Sequence, residues 1–142
     1  MKIDLISFHS FDTKNGKLMP IYDHLSKNES KVPFLIKKVL VITDVKNNDV
    51  RGGHTHHKTI QVLTCIKGSC AVTLDDGKGH KEQIKLAAGG SGVLLEPYVW
   101  HTMENFSDDA ILLVVASEDY DEKDYIRSYD EFKKCIDAGM HA

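Results

Sequence analysis

Residues 51–61 read RGGHTHHKTIQ and place three histidines, one arginine and two glycines within eleven positions. In an extended strand, side chains two positions apart project from the same face. We therefore expect His54 and His56 on one face of a strand and His57 on the other. The glycines allow a sharp turn or a close backbone approach just before this pair, and Arg51 offers a planar fork of donors suited to phosphate or carboxylate.

Short apolar stretches separated by Gly, Asp and Asn surround the histidine segment and predict an all-β fold. Residues 59–66, TIQVLTCI, alternate with a period near two and carry apolar groups on both faces, which is typical of a covered strand. The glycine-rich DDGKG at 75–79 predicts a hairpin turn. Many short strands at close spacing indicate a sandwich or a small barrel. The predicted strands cover residues 34–43, 59–66, 69–74, 80–86, 92–96, 98–104 and 110–116.

The C-terminal residues follow a different period and predict one short closing helix. Ser128 and Glu131 match the capping-box pattern, in which each side chain bonds the backbone amide of the other residue. Tyr129, Phe132 and Ile136 then recur at helical spacing. We interpret this aromatic stripe as core packing and not as a ligand site.

Length, charge and cysteine content limit the number of domains and the kinds of partner that we expect. With 142 residues and 42% hydrophobic content, residues 1–142 are expected to form a single domain. A formal net charge of −3 leaves no basic excess for a polynucleotide backbone, so nucleic acid is not an expected partner. Neither a signal peptide nor a membrane-spanning stretch is predicted, and we expect a cytoplasmic protein. Cys65, Cys70 and Cys135 form no Cys-x-x-Cys pair and are interpreted as reduced, buried thiols.

The histidines also match the spacing of a known superfamily. His54-x-His56 is followed by Gln61, then by Gly68, and later by His101. This pattern resembles the two motifs of the cupins, whose small double-stranded β-barrel holds its site in the interior. Cupin motif one usually carries Glu where this chain has Gln61. Because an amide neutralises less of the charge of a divalent ion than a carboxylate does, weaker metal binding is expected.

Longer strings in the sequence resemble one family more specifically. RGGHTHHK, VLTCIKGSCAVTLDDG, PYVWHTM and VVASEDYDEKDYIRSYDEFKK are similar to the nucleotide-sugar 3,4-ketoisomerases of the WxcM-like cupin family, over roughly residues 32–134. The resemblance implies a jelly-roll cupin barrel that converts dTDP-4-keto-6-deoxyglucose to the 3-keto-6-deoxyhexose through an enediol or enediolate, on the way to 3-amino-3,6-dideoxyhexoses. It also implies a homodimer that exchanges an N-terminal arm, about residues 1–31, and needs no metal or organic cofactor.

The same resemblance assigns roles to individual residues. His54 and His56 occupy the two family histidine positions and are predicted to transfer the proton, with His54 as the general base. Histidine suits this role because its acid and base forms are both available near pH 7. Arg51 is the candidate for binding the diphosphate or the developing oxyanion. Gln61 and His101 are expected to line the barrel interior and to bind the sugar.

One departure from the family concerns the strand at residues 37–43. Relatives carry tyrosines there that face the sugar, whereas this chain has Leu40 and Val41. A missing phenol leaves open whether the product has the galacto or the gluco configuration. Its role could pass to Tyr22, to Tyr98 or to water.

Two other functions stay open on the residues alone. A metal-dependent cupin enzyme would use His54, His56, Gln61 and His101 as ligands. A non-catalytic sugar-binding cupin would keep the pocket without turnover. The string that ends the resemblance, SEDYDEKDYIRSYDEFKK, favours the ketoisomerase over both alternatives because neither class is expected to share it.

Overall fold

The computed structural model describes residues 1–23, 32–46 and 48–141. It confirms an all-β fold closed by one short C-terminal helix. The elements, numbered in chain order, are β1 (Leu5–Ile6), β2 (Phe11–Thr13), β3 (Gly16–Leu18), β4 (Lys38–Ile42), β5 (Arg51–His56), β6 (Gln61–Lys67), β7 (Ser69–Asp75), β8 (Lys81–Ala87), β9 (Gly92–Leu95), β10 (Trp100–Glu104), β11 (Ile111–Ala116), a 3₁₀ turn (Glu122–Asp124), β12 (Tyr125–Ile126) and α1 (Tyr129–Asp137).

Two five-stranded antiparallel sheets form the body of the molecule. The first sheet has the order β1-β9-β6-β11-β4 and the second has the order β12-β5-β10-β7-β8, while β2 and β3 pair only with each other in the described part of the chain. The main core lies between the two sheets. Leu63 of β6, Val72 of β7 and Leu112 of β11 are its centre and are almost completely buried. Each such side chain contributes about 1.5–3 kcal/mol when it leaves water.

Several strands are shorter than the sequence predicts. The predicted strand 34–43 pairs with β11 only over β4. The predicted strand 98–104 starts at Trp100 because Tyr98 has a φ of 59°. This left-handed conformation interrupts the extended backbone, and the Tyr98 amide donates to the His56 carbonyl oxygen instead.

The C-terminal helix has the predicted N-terminus, but only Phe132 and Ile136 of the predicted stripe are buried, whereas Tyr129 is 39% exposed. The Ser128 side chain accepts a hydrogen bond from the Glu131 amide at 3.3 Å. Phe132 and Ile136 pack with Ile126 of β12 on the side of the second sheet that faces away from the main core. The helix therefore covers the short strand β12 and stabilises its position beside β5. Cys65 and Cys70 are buried as predicted, whereas Cys135 of this helix is partly exposed.

A β-bulge in β5 directs the side chains of the opening motif. His54 pairs with His101 of β10, but the next β10 residue, Thr102, pairs with Gly52, so Gly53 is the extra residue. Gly52 and Gly53 have φ values of 83° and 76°, a region that glycine adopts without strain.

The bulge changes which residues share a face. Arg51 pairs with Met103 and His54 pairs with His101. Met103 and His101 both point into the molecule and are buried. Arg51 and His54 therefore lie on the inner face together, although they are three positions apart and a regular strand would place them on opposite faces.

No helix in the described ranges is long and apolar enough to cross a membrane.

Replacing Gly52 by alanine is expected to destabilise the protein more than replacing Gly53. Each substitution forces a side chain into a left-handed backbone at a cost of about 1–2 kcal/mol. A Cβ at Gly52 would also lie 2.9 Å from the His101 carbonyl oxygen, whereas one at Gly53 meets nothing within 4 Å. Thermal unfolding should give Gly52→Ala the lower Tm. Equal Tm values for the two variants would contradict this geometry of the bulge.

Candidate active site

A cavity of about 200 Å³ opens between the two sheets beside the bulge. Four of the five site residues predicted from the sequence line it, and His56 lies directly behind two of the lining rings. The lining residues are Leu40, Ile42, Arg51, Gly52, His54, Gln61, Leu63, His101, Met103, Val114, Tyr125 and Arg127.

Three histidines form a single cluster at this cavity. The ring centroid of His54 lies 5.1 Å from that of His56 and 4.8 Å from that of His101, and His56 and His101 are 6.1 Å apart. The predicted shared face of His54 and His56 is thus present. His57 lies on the other face, is exposed, and its Nδ1 is 2.9 Å from the hydroxyl of Tyr98.

A tyrosine from β12 completes the cluster. Tyr125 pairs with His56 across β12 and β5, which places its ring centroid 4.5 Å from that of His56 and 5.1 Å from that of His54. Arg127 is two residues further on and lines the same cavity. Its guanidinium carbon lies 4.2 Å from the centroid of the Tyr125 ring.

Burial keeps the three imidazoles in the neutral form near pH 7. Desolvation is the main cause that lowers the pKa of His56 to about 4 and the pKa of His101 to about 3. Desolvation also lowers the pKa of His54, followed by the nearby positive charge of Arg127. A neutral imidazole can accept a proton, so the cavity holds prepared general bases.

A buried carboxylate fixes the strand that carries Tyr125. Asp124 accepts hydrogen bonds from the Lys58 amide at 2.8 Å, from the Thr59 amide at 3.3 Å and from the Thr59 hydroxyl. Burial by itself would raise the pKa of Asp124, but these bonds outweigh it and hold the pKa below its usual value. The ionised carboxylate therefore joins the start of β12 to the turn after β5.

Charged side chains surround the opening of the cavity. Arg127 donates to Glu122 from Nε at 2.7 Å and from a terminal nitrogen at 3.0 Å, a bidentate pair that lowers the pKa of Glu122 to about 2. The Lys38 ammonium lies 5.9 Å from the Tyr125 ring centroid. Arg51 is exposed and lines the opening as well. Arg51 and Arg127 therefore line the space that a negatively charged ligand would enter, and Lys38 lies beside the Tyr125 ring.

Of the other residues considered in the sequence analysis, some line the cavity and others lie outside it. Gln61 is buried and lines the cavity. Leu40 lines it too, whereas Val41 is exposed and absent from the lining, as alternation in a strand requires. Tyr98 bonds His57 outside the cavity, and Tyr22 packs against a different apolar cluster, so neither lines this cavity.

Sequence reasoning missed Tyr125 and Arg127 as site residues. They lie in the string EDYDEKDYIR, which served only to support the family resemblance. A two-residue strand is too short to give an alternating pattern, and it forms because Ile126 is buried under the helix. The usable signal was the spacing of Tyr125 and Arg127, which are two positions apart on either side of an apolar residue.

The cavity groups that a cupin metal site would use as ligands are the imidazoles of His54, His56 and His101 and the amide of Gln61. Within the described ranges, no group of three or more His, Cys, Asp and Glu side chains has an arrangement that could hold a metal ion. Asp124, the carboxylate behind His56, is already occupied by the hydrogen bonds of the turn after β5.

Comparisons with known proteins agree with this architecture. The family model described as FdtA: WxcM-like, C-terminal matches residues 1–137. A TDP-4-oxo-6-deoxy-alpha-D-glucose-3,4-oxoisomerase from Aneurinibacillus thermoaerophilus is 45% identical over 136 residues, which cover 96% of this chain and 94% of that protein.

Two crystal structures of the 3,4-ketoisomerase QdtA from Thermoanaerobacterium thermosaccharolyticum are similar as well. The complex with TDP has a TM-score of 0.88 at 37% identity and covers 98% of this chain and 97% of that chain. A histidine-to-asparagine variant in complex with TDP-4-keto-6-deoxyglucose has a TM-score of 0.84 at 38% identity and covers 93% and 91%.

The fold and the site together define a cupin-type sugar isomerase, a β-barrel whose interior presents histidines to a ligand. The chain belongs to the FdtA/WxcM-like family.

Proposed function

We propose that this protein is a nucleotide-sugar 3,4-ketoisomerase that converts TDP-4-keto-6-deoxyglucose to its 3-keto isomer. The observation that carries the proposal is the cluster of three neutral histidines in the cavity of a chain from this family. Its 45% identical relative bears the name of this activity, and a structural neighbour holds this sugar nucleotide.

His54 is the general base in this proposal. It lines the cavity and is neutral because burial and Arg127 lower its pKa. Removal of the proton from carbon 3 of the sugar moves the carbonyl electrons onto the oxygen of carbon 4 and forms an enediolate. Arg51, exposed at the opening, is placed to bind the diphosphate or to stabilise this negative charge.

His101 has a defined tautomer that suits a sugar hydroxyl. Its Nδ1 lies 3.2 Å from the Val99 carbonyl oxygen, which can only accept a hydrogen bond. In the neutral ring Nδ1 therefore carries the hydrogen, and Nε2 is left as an acceptor. Gln61, also in the cavity wall, offers both a donor and an acceptor to the same sugar.

His56 supports the base from behind. Its Nε2 is buried and has no hydrogen-bond partner in the described part of the chain. The edge-to-face contact of the His56 ring with the His54 ring, at 5.1 Å between centroids, holds the orientation of the base. The reaction only moves protons and involves no net oxidation, so we propose that it needs neither a metal nor an organic cofactor. Among the described residues, no contact in the cavity specifically favours a metal-dependent or a purely sugar-binding cupin.

Replacing either histidine of the pair should abolish most turnover and keep the fold. Asparagine retains a polar side chain but cannot transfer a proton, so His54→Asn and His56→Asn should each convert the sugar at least about 100-fold more slowly. Turnover is measured by NMR after TDP-4-keto-6-deoxyglucose is mixed with protein that has been treated with a chelator. The chelator-treated wild type should remain active.

His57→Asn is the matched control, because His57 lies on the opposite face and bonds Tyr98. Its rate should stay within a few-fold of the wild type. A loss in His57→Asn as large as in the other two variants would contradict the assignment. A wild type that needs an added divalent ion would contradict the absence of metal.

We also propose that two copies assemble through the N-terminal arm and the free edge of β4, and that the enzyme works in the cytoplasm. Residues 24–31 of the predicted exchanged arm lie outside the described residues. In the described part of the chain, β4 pairs only with β11, so its other edge is free. The side chains of Val39 and Val41 on this strand are 57% and 58% exposed. An apolar edge strand of this kind is a ready surface for another chain. The hairpin of β2 and β3 is exposed throughout and is available to extend toward a second copy.

A charge on the β4 edge should separate the dimer. Light scattering of the wild type is expected to give about twice 15.9 kDa. Val41→Lys should shift this mass toward the monomer because the lysine would be buried at the interface. Met140→Lys, a comparable change at an exposed apolar residue beyond the C-terminal helix, should leave the mass unchanged. A fully active wild-type monomer would contradict the proposal.

A further inference from the structure

Among the described residues that line the cavity, Tyr125 is the only one with a phenol. Its ring contacts both His54 and His56, and it stands opposite His56 in the pairing of β12 with β5. This position is fixed on two sides. Asp124, the preceding residue, is bonded to the turn after β5, and Ile126, the next residue, is buried under the C-terminal helix.

Resting on the proposed function, we propose that Tyr125 is a further catalytic residue, the group that delivers the proton to carbon 4 of the enediolate. A ketoisomerase must take a proton from one carbon and return one to the neighbouring carbon. Two groups in contact, a neutral imidazole and a phenol, divide these steps between them. The imidazole accepts a proton in its resting state and the phenol carries one to donate.

The steps balance in protons and electrons. His54 takes the proton from carbon 3, a double bond forms between carbons 3 and 4, and the carbonyl pair moves to the oxygen of carbon 4. The hydroxyl proton on carbon 3 then passes to that oxygen, a carbonyl forms at carbon 3, and carbon 4 takes the proton of the Tyr125 hydroxyl. The His54 imidazolium returns its proton to the Tyr125 phenolate, which restores both groups without any oxidant or reductant.

Two positively charged side chains lie beside the Tyr125 ring. The Arg127 guanidinium carbon is 4.2 Å from the centroid of the Tyr125 ring, and the Lys38 ammonium is 5.9 Å from it. In the proposed step, these cations would lie beside the ring on which the negative charge forms. Arg127 is itself held in place by its bidentate pair with Glu122.

The β4 side of the cavity offers no proton donor among its described lining residues. Leu40 and Ile42 of β4 contribute only apolar surface. Tyr98 and Tyr22 lie elsewhere, the first bonded to His57 and the second packed with an outer apolar cluster.

The test separates the two proton transfers in deuterated water. Tyr125→Phe removes only the hydroxyl and keeps the ring that packs against the histidines. With TDP-4-keto-6-deoxyglucose as substrate, proton NMR should show that this variant still exchanges the hydrogen at carbon 3 for deuterium. Formation of the 3-keto product should fall by at least about 100-fold. His54→Asn, in the same assay, should lose both exchange and product.

Tyr129→Phe is the matched control, since it removes a hydroxyl that bonds Asp75 at 2.8 Å outside the cavity. It should change both rates by less than a few-fold. If Tyr125→Phe makes product at a rate near that of the wild type, the inference is wrong and the proposed function stands. Equal loss of exchange and product in a folded Tyr125→Phe would also overturn it, because Tyr125 would then only position the base. A wild type without any conversion would overturn the proposed function and this inference together.

Discussion

The pairing of β5 with β10 on one side and β12 on the other is the interaction on which the site depends. The β10 pairing, with its bulge at Gly53, turns both Arg51 and His54 inward and places His101 opposite His54. The β12 pairing places Tyr125 opposite His56. These backbone contacts bring together side chains from three strands that are far apart in sequence. The Asp124 carboxylate and the C-terminal helix support the β12 side, where only two residues pair.

Desolvation then determines the chemistry of the assembled groups. A solvated histidine is about half protonated near pH 6.5. In the cluster, burial and mutual repulsion lower the pKa of His56 and His101 to about 4 and about 3. In the proposed reaction, the same exclusion of water would leave the negative charge of the enediolate to be stabilised by the cations near the opening. Neutral imidazoles therefore lie inside, Arg51 and Arg127 line the cavity, and Lys38 lies beside the Tyr125 ring.

Much of this arrangement could be predicted from the sequence, because its signals are local. The alternation of residues 59–66, the glycine turn at 75–79 and the capping box at Ser128 each fix an element through nearby residues. The shared face of His54 and His56 follows from strand periodicity. Features set by tertiary contacts could not be obtained in this way. The bulge at Gly53 is visible only when β10 is in place, and the two-residue strand β12 exists only because β5 and the helix hold it.

The central claim is that burial keeps the catalytic imidazoles neutral, so that a base is ready at physiological pH. The pH dependence of kcat/KM for TDP-4-keto-6-deoxyglucose tests it most directly, because this ratio reports the pKa of the essential base in the free enzyme. A base with a lowered pKa loses activity only when the pH falls through that lowered value. The account predicts that the acid limb of kcat/KM is centred below pH 6.5, the ordinary pKa of a histidine. An acid limb centred at or above pH 6.5 would contradict it.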